Sequence, residues 1–217
     1  MHPRSDEITA HLSAVDKRLA KVIAAAGPFT LVPNQGTIFA GLMKAIIYQQ
    51  LSGKAAGTIH GRVLALLPKN PREHATAIAQ LSDEELRGAG LSRNKLLSVR
   101  DLAARSTAGQ VPERKALAKK SDEEIIELLT EVRGVGRWTA EMILMFTLGR
   151  LDVLPVADLG IRKGFALTYL KKEEQEELPA LEAIAKHGAR WQPFRSAAAW
   201  YLWRAVDLAA KKPTQPT

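Results

Sequence analysis

The hydrophobic positions of this chain recur three and four residues apart almost throughout, the spacing of one buried helix face. Ile8, Leu12, Val15, Leu19, Val22 and Ile23 keep that period over residues 7–26, and Gly27-Pro28 stops it. Over residues 37–51, Ile38, Phe39, Leu42, Met43, Ala45, Ile46 and Ile47 leave almost no polar face, which predicts a central, buried helix. Its end, Tyr48-Gln49-Gln50-Leu51-Ser52-Gly53-Lys54, puts two amides, a hydroxyl and a cation where the helix surfaces. Polar capping explains such a run, and so does a probe that enters a partner. Residues 55–67 form the next predicted helix, with Ile59, Val63 and Leu66 inward. Short helices follow over 72–80 and 83–87, the latter opened by a Ser82/Glu85 capping box. Leu96, Val99, Leu102 and Ala103 share one side of a helix over 91–105 whose start is rich in donors, and residues 107–120 read as a basic, solvated loop. Later helices are predicted over 160–170, from Pro179 to His187, and over 193–211, a region rich in aromatics: Trp191, Phe194, Trp200, Tyr201 and Trp203. No stretch alternates with a period of two, so the fold class is all-α.

Residues 121–147 carry the most specific pattern. Ser121 and Glu124 have capping-box spacing, Ile125, Leu128, Leu129 and Val132 share a helix face, and that helix is predicted to end near Arg133. Gly134-Val135-Gly136 lets the backbone turn sharply and approach another molecule. A second helix follows at once, with Ala140, Ile143, Leu144 and Thr147 inward and Arg137 at its exposed start. The first turn of such a helix offers unpaired N–H groups and the positive end of the dipole, which suits a phosphate. A dinucleotide fold is set aside, because that fingerprint follows a strand and needs a small residue where Thr139 stands. A plain helix–helix corner remains open on residue types alone.

Composition narrows the partners. The 217 residues suit one domain or two intimate lobes, and a formal net charge of +8 with a pI near 9.8 favours a polyanion, most simply nucleic acid. There is no cysteine, which removes disulfides, thiolate metal sites and iron–sulfur clusters and fits a reducing interior. The start lacks a continuous apolar run and no stretch reaches about 18 apolar residues, so neither a secretory signal nor a membrane span is expected. The expectation is a soluble, intracellular protein.

Few residues offer chemistry. His2, His11, His60, His74 and His187 have no ligand spacing and read as surface or helix residues, and no serine sits in a nucleophile elbow. Asp158 stands out in Leu154-Pro155-Val156-Ala157-Asp158-Leu159-Gly160-Ile161-Arg162-Lys163, among apolar neighbours and just before a helix. An N-cap aspartate explains it, and capping is compatible with catalysis because a cap keeps a carboxylate ionised and aimed.

LLTEVRGVGRWTAEMI followed by LPVADLGIRKG resembles the helix-hairpin-helix DNA glycosylases, named for a hairpin, a Gly/Pro-rich loop and an aspartate. AIIYQQLSGKAA, GLSRNKLLSVRDLA and WQPFRSAAAWYLWR narrow the resemblance to the 3-methyladenine DNA glycosylase II branch, over residues 38–206. That resemblance implies two helical lobes flanking a DNA-binding cleft. Residues 35–149 would be the central lobe carrying the hairpin, and residues 1–34 with 150–217 the second.

It implies a role for each matching residue. Asp158 is the catalytic carboxylate, and Gln50 is the wedge that fills the gap left by a rotated nucleotide. Ser52, Gly53 and Lys54, with Arg133, Gly134, Val135, Gly136, Arg137 and Thr139 of the hairpin, hold the DNA backbone. Trp138, Trp203, Tyr48, Met142 and Leu159 fall at base-pocket positions, where Met142 and Leu159 replace aromatics of some relatives. Carbonyls of Thr130, Val132 and Val135 match those that hold a structural Na+ or K+ in such hairpins. No other cofactor is required. Lyase-competent members carry a lysine where this chain has Trp138, so the resemblance implies a monofunctional hydrolase of alkylated purines that leaves an abasic site. The expected partner is double-stranded DNA with damaged bases, no membrane is involved, and the expected state is a monomer, DNA-associated, in the cytoplasm or nucleoid if bacterial. A glycosylase for deaminated or mismatched bases, and a catalytically silent DNA-binding hairpin protein, remain as alternatives.

Overall fold

The computed structural model describes residues 1–211, and every regular element among them is helical. In chain order the α-helices are α1 Ser5–Val15, α2 Lys17–Ala26, α3 Ile38–Tyr48, α4 Gly53–Ala65, α5 His74–Gln80, α6 Asp83–Gly88, α7 Arg93–Thr107, α8 Arg114–Leu117, α9 Asp122–Thr130, α10 Arg137–Ile143, α11 Leu159–Tyr169, α12 Leu181–Gly188 and α13 Arg195–Lys211. Among the described residues no helix is long and apolar enough to cross a membrane. The chain divides into two compact units, Asn34–Leu148 and a second made of Met1–Pro33 with Gly149–Thr217.

Several local expectations need correction. The apolar period over 7–26 belongs to two helices, because Asp16 leaves the helical region and its Oδ1 accepts from the N–H groups of Arg18 and Leu19 to cap α2. Val15, beside that break, is 39% exposed rather than inward, and Leu66, past the end of α4, is 38% exposed. The segment 107–120 is not wholly a solvated loop. It contains α8, whose Leu117 is fully buried, and Val111 is buried with it. The predicted helix over 37–51 stops at Tyr48, because Gln49 leaves the helical region at ψ 132 and Gln50 then takes φ 57. Pro179 precedes α12 instead of opening it.

The unit built from both chain ends is centred on α11 and α13. They approach so closely at Gly164 that a Cβ there would lie 2.1 Å from the Leu202 carbonyl oxygen. Ile8, Leu12, Leu19, Phe29, Trp191, Tyr201 and Leu202 fill the core around them. Asp16 does more than cap. Its Oδ2 accepts from Tyr169 Oη at 2.8 Å and Trp191 Nε1 at 2.9 Å, and meets His187 Nε2 at 2.9 Å. His187 is therefore part of a half-buried polar network, where the sequence suggested an isolated helix residue. Burial alone would push the Asp16 carboxyl up; the hydrogen bonds from Leu19 N–H, Trp191, His187 and Tyr169 outweigh it and hold the group below its ordinary value.

In the other unit α3 is buried as predicted, with Leu42, Met43 and Ile47 fully inside. Both halves of the Ser121/Glu124 capping box form at the start of α9, which ends at Thr130, three residues before the expected limit. α10 widens into a π-helical turn over Leu144–Leu148. The Phe146 carbonyl in that turn accepts from both the backbone N–H and the side-chain amide of Asn34, each at 2.9 Å.

Candidate active site

Asp158 sits at the start of α11, at the end of a crossing loop that α13 holds in place. Arg195 grips Asp152 with two side-chain bonds, at 2.7 and 2.9 Å. Buried Ser196 donates through Oγ to the Arg150 carbonyl at 2.8 Å, accepts from Val153 N–H at 2.9 Å, and gives its own N–H to the Leu151 carbonyl. The loop thus enters α11 at a fixed angle, and Asp158 Oδ1 accepts from Ile161 N–H at 2.8 Å, the N-cap anticipated from sequence. The same oxygen accepts from Trp203 Nε1, also at 2.8 Å. Gly160 makes room for that contact: a Cβ there would lie 2.7 Å from Trp203 Cδ1 and 3.1 Å from Asp158 Oδ1. The result is a half-buried carboxylate fixed by one backbone and one indole donor, with Leu159, 53% exposed, beside it.

Asp158, Leu159 and Trp203 therefore come together in one unit. The remaining sequence-predicted residues belong to the other. Gly134 takes φ 77 in the turn between α9 and α10, where Val135 N–H bonds the Val132 carbonyl at 3.0 Å. Gly136 is the N-cap of α10 without a side-chain cap bond, and Thr139 is buried in its first turn. Arg137 is not poised alone: it holds Glu123 with two bonds of 2.7 and 2.8 Å and has Nε 3.4 Å from Glu141. The Arg137 guanidinium keeps the Glu123 carboxyl below the usual range. Trp138 is 44% exposed next to it, and Met142 is half-buried one turn on.

Gln50 is the single non-glycine residue with positive φ among the described residues, and its side chain is exposed. Ser52 caps α4 by accepting from Ala55 N–H, and no atom lies within 4 Å of a Cβ built on Gly53. Tyr48 is half-buried, with Lys44 over its ring and His60 at its edge. Sequence reasoning missed the residues that hold these positions: Gly160, Ser196, Lys95 and Gln49. Of these, Gln49 left a trace in the amide-rich end of α3 and Lys95 in the donor-rich start of α7.

Comparison with known proteins gives the arrangement a context. The family described as HhH-GPD superfamily base excision DNA repair protein matches residues 43–188. DNA-3-methyladenine glycosylase 1 of Schizosaccharomyces pombe is 36% identical over 210 residues, covering 95% of this chain and 90% of that protein. A solved structure of a 3-methyladenine DNA glycosylase from the same yeast, in complex with abasic DNA, superposes with a TM-score of 0.81 at 32% identity, over 95% of this chain and 99% of that one. A DNA-3-methyladenine glycosidase from Bacillus halodurans gives the same TM-score at 35% identity, over 94% of this chain and 91% of its own.

Proposed function

The chain belongs to the HhH-GPD superfamily of base excision DNA repair proteins, and we infer that it is a DNA-3-methyladenine glycosylase that frees alkylated bases from double-stranded DNA. The observation that carries the reading is Asp158, an aspartate at the family's motif position, fixed by Ile161 N–H and the Trp203 indole. A glycosidic bond inside the base stack is out of reach of any side chain, so the nucleotide must first rotate out, and a weakly paired lesion costs less to extrude. Gln50 is assigned to the gap left behind.

An N-alkylated purine carries a formal positive charge. When its bond to C1′ breaks, the electron pair goes with the base, which leaves neutral and needs no strong general acid. Positive charge develops on the sugar, and the Asp158 carboxylate opposes it; water then adds at C1′ and releases a proton. A single preorganised group of this kind contributes about 3 to 4 kcal/mol. The product is an abasic site. A lyase step would need an amine to attack C1′, and Trp138 has none where lyase-competent members carry lysine, so the enzyme is read as a monofunctional hydrolase. The segments around Gln50, Lys95 and Trp203 favour the 3-methyladenine glycosylase II branch.

The hairpin from Arg133 to Thr139, with Ser52, Gly53 and Lys54, is assigned to the phosphate backbone, contacts that position the duplex without reading sequence. Arg137 reaches a phosphate by exchanging it for Glu123, and both side chains of that pair are more than half exposed, where ion pairs are weak. The carbonyls of Thr130, Val132 and Val135 are the atoms for a Na+ or K+. Thr130 is the last residue of α9, whose final carbonyls lack intrahelical partners, Val132 and Val135 lie in the turn beyond it, and Val132 O, which accepts from Val135 N–H at 3.0 Å, keeps a second lone pair. Such an ion would add positive charge beside the strand. An enzyme with this substrate works where genomic DNA is held, the nucleoid if the source is bacterial.

Release of 3-methyladenine from alkylated duplex DNA, measured beside duplexes with deaminated or mismatched bases, tests the substrate class. Release from the alkylated duplex alone supports it, and release confined to the other two contradicts it.

A further inference from the structure

Lys95 lies in the first turn of α7 and reaches the carbonyl end of α3, where its Nζ donates to Ile47 O at 2.6 Å and to Gln49 O at 2.8 Å. The last carbonyls of a helix have no intrahelical partners and carry its negative end, so an ammonium group suits them. Burial pushes the Lys95 ammonium down from its ordinary value, consistent with a cation drawn inward. The Gln49 carbonyl belongs to the peptide that leads into Gln50, so Lys95 fixes the plane from which Gln50 enters φ 57. A non-glycine residue there is strained and persists only where its surroundings impose it.

The same turn is tied to the hairpin. Gln49 Nε2 donates to the Gly134 carbonyl at 2.9 Å, and Gly134 is itself left-handed. α7 supports that end too. A Cβ on Gly134 would lie 2.7 Å from Ser98 Oγ, and Asp101 Oδ2 accepts from Arg133 N–H at 2.8 Å. Lys95, Ser98 and Asp101 are three residues apart, on one stripe of α7. One face of one helix therefore holds both the turn that presents Gln50 and the turn that presents the hairpin amides.

We propose that Lys95 and Gln49 are positioning residues for nucleotide eversion, holding Gln50 in its left-handed conformation and locking it to the hairpin so that gap-filling and strand-gripping act as one rigid body. This rests on the reading of Gln50 as the residue that fills the gap. A lysine that merely stabilised the fold would, on removal, lower every activity in proportion to the folded fraction. A lysine spent on DNA phosphate would lower affinity for all duplexes alike. A positioning lysine lowers eversion selectively.

The test compares the wild type with Lys95→Met, Lys95→Arg, Gln49→Met and Gln50→Ala. 2-Aminopurine placed next to the lesion reports unstacking by its fluorescence, and single-turnover base release, affinity for undamaged duplex and Tm are measured alongside. Lys95→Met and Gln49→Met should each lose most of the fluorescence change and release base about tenfold more slowly, while affinity for undamaged duplex moves by less than about threefold. Lys95→Arg should recover part of both, since it keeps the charge and the donors. If Lys95→Met does not fold, Gln49→Met carries the same expectation of loss. Full eversion in Gln49→Met, or a Lys95→Met defect matched by its loss of undamaged-DNA affinity or of folded protein, overturns the proposal while leaving Gln50 in its role. Full eversion in Gln50→Ala overturns the assignment of Gln50 itself.

Discussion

The Trp203 indole donates to the same Asp158 oxygen that accepts from Ile161 N–H, both at 2.8 Å, so one atom of the carboxylate is pinned from two helices. Trp203→Phe keeps an aromatic ring and removes the donor. It should slow base release by at least about tenfold, because a small misdirection of a catalytic group is costly, and should leave Tm nearly unchanged. Gly160→Ala should give a larger loss, since its methyl would fall 2.7 Å from the indole. Single-turnover rates with calorimetric Tm values check both.

Gly164 serves packing in the same helix. Its α-hydrogens face the Leu202 carbonyl at a distance no Cβ tolerates, so Gly164→Ala must spread α11 from α13. Overpacking of this kind costs about 1 to 3 kcal/mol or more. The variant should show a lowered Tm, and a lowered rate through displaced Asp158, by thermal unfolding and base-release assay.

Asp16 makes stability depend on acid. Its folded-state pKa lies below the unfolded value, so its contribution is complete above the ordinary carboxylate range and is lost as pH falls through the folded value. Denaturant unfolding from neutral pH down to about pH 2.5 should show a steeper loss for the wild type than for Asp16→Asn. Asp16→Ala, which strands the Trp191 and Tyr169 donors, should cost about 1 to 3 kcal/mol for each at neutral pH.

A phosphate that takes the Arg137 guanidinium must displace Glu123 from it. Arg137→Ala should weaken binding to duplex DNA uniformly across sequences and reduce the slope of log affinity against log salt by about one. Glu123→Ala, which removes the closer of the two carboxylates that hold the guanidinium, should tighten binding. Fluorescence anisotropy over a salt series separates the two.

Trp138 in place of an amine predicts that the reaction stops at the abasic site. Borohydride should trap no covalent complex, and strands should break only after alkaline treatment. A trapped adduct would contradict the monofunctional assignment.

What the sequence disclosed was local. The Ser121/Glu124 box, the glycines of the hairpin and the Asp158 cap lie within a few residues of what they satisfy, so spacing reveals them. Asp16 escaped because an aspartate on the polar face of an apolar period looks the same whether the helix continues or restarts there. The bonds from Trp203 to Asp158 and from Lys95 to Gln49 span 45 and 46 residues and depend on how helices cross, which no local pattern encodes. Gly160 and Gly164 have ordinary helical φ, and their purpose appears only against the side chain or carbonyl that faces them.

The Asp158 charge is assigned to oppose a cationic sugar. Asparagine caps helices as well as aspartate does, so Asp158→Asn removes the charge and keeps the local structure. Single-turnover release of 3-methyladenine, measured with the affinity for the same duplex, should fall by about a hundredfold or more while affinity stays within about threefold. Base release by Asp158→Asn at the wild-type rate would contradict it.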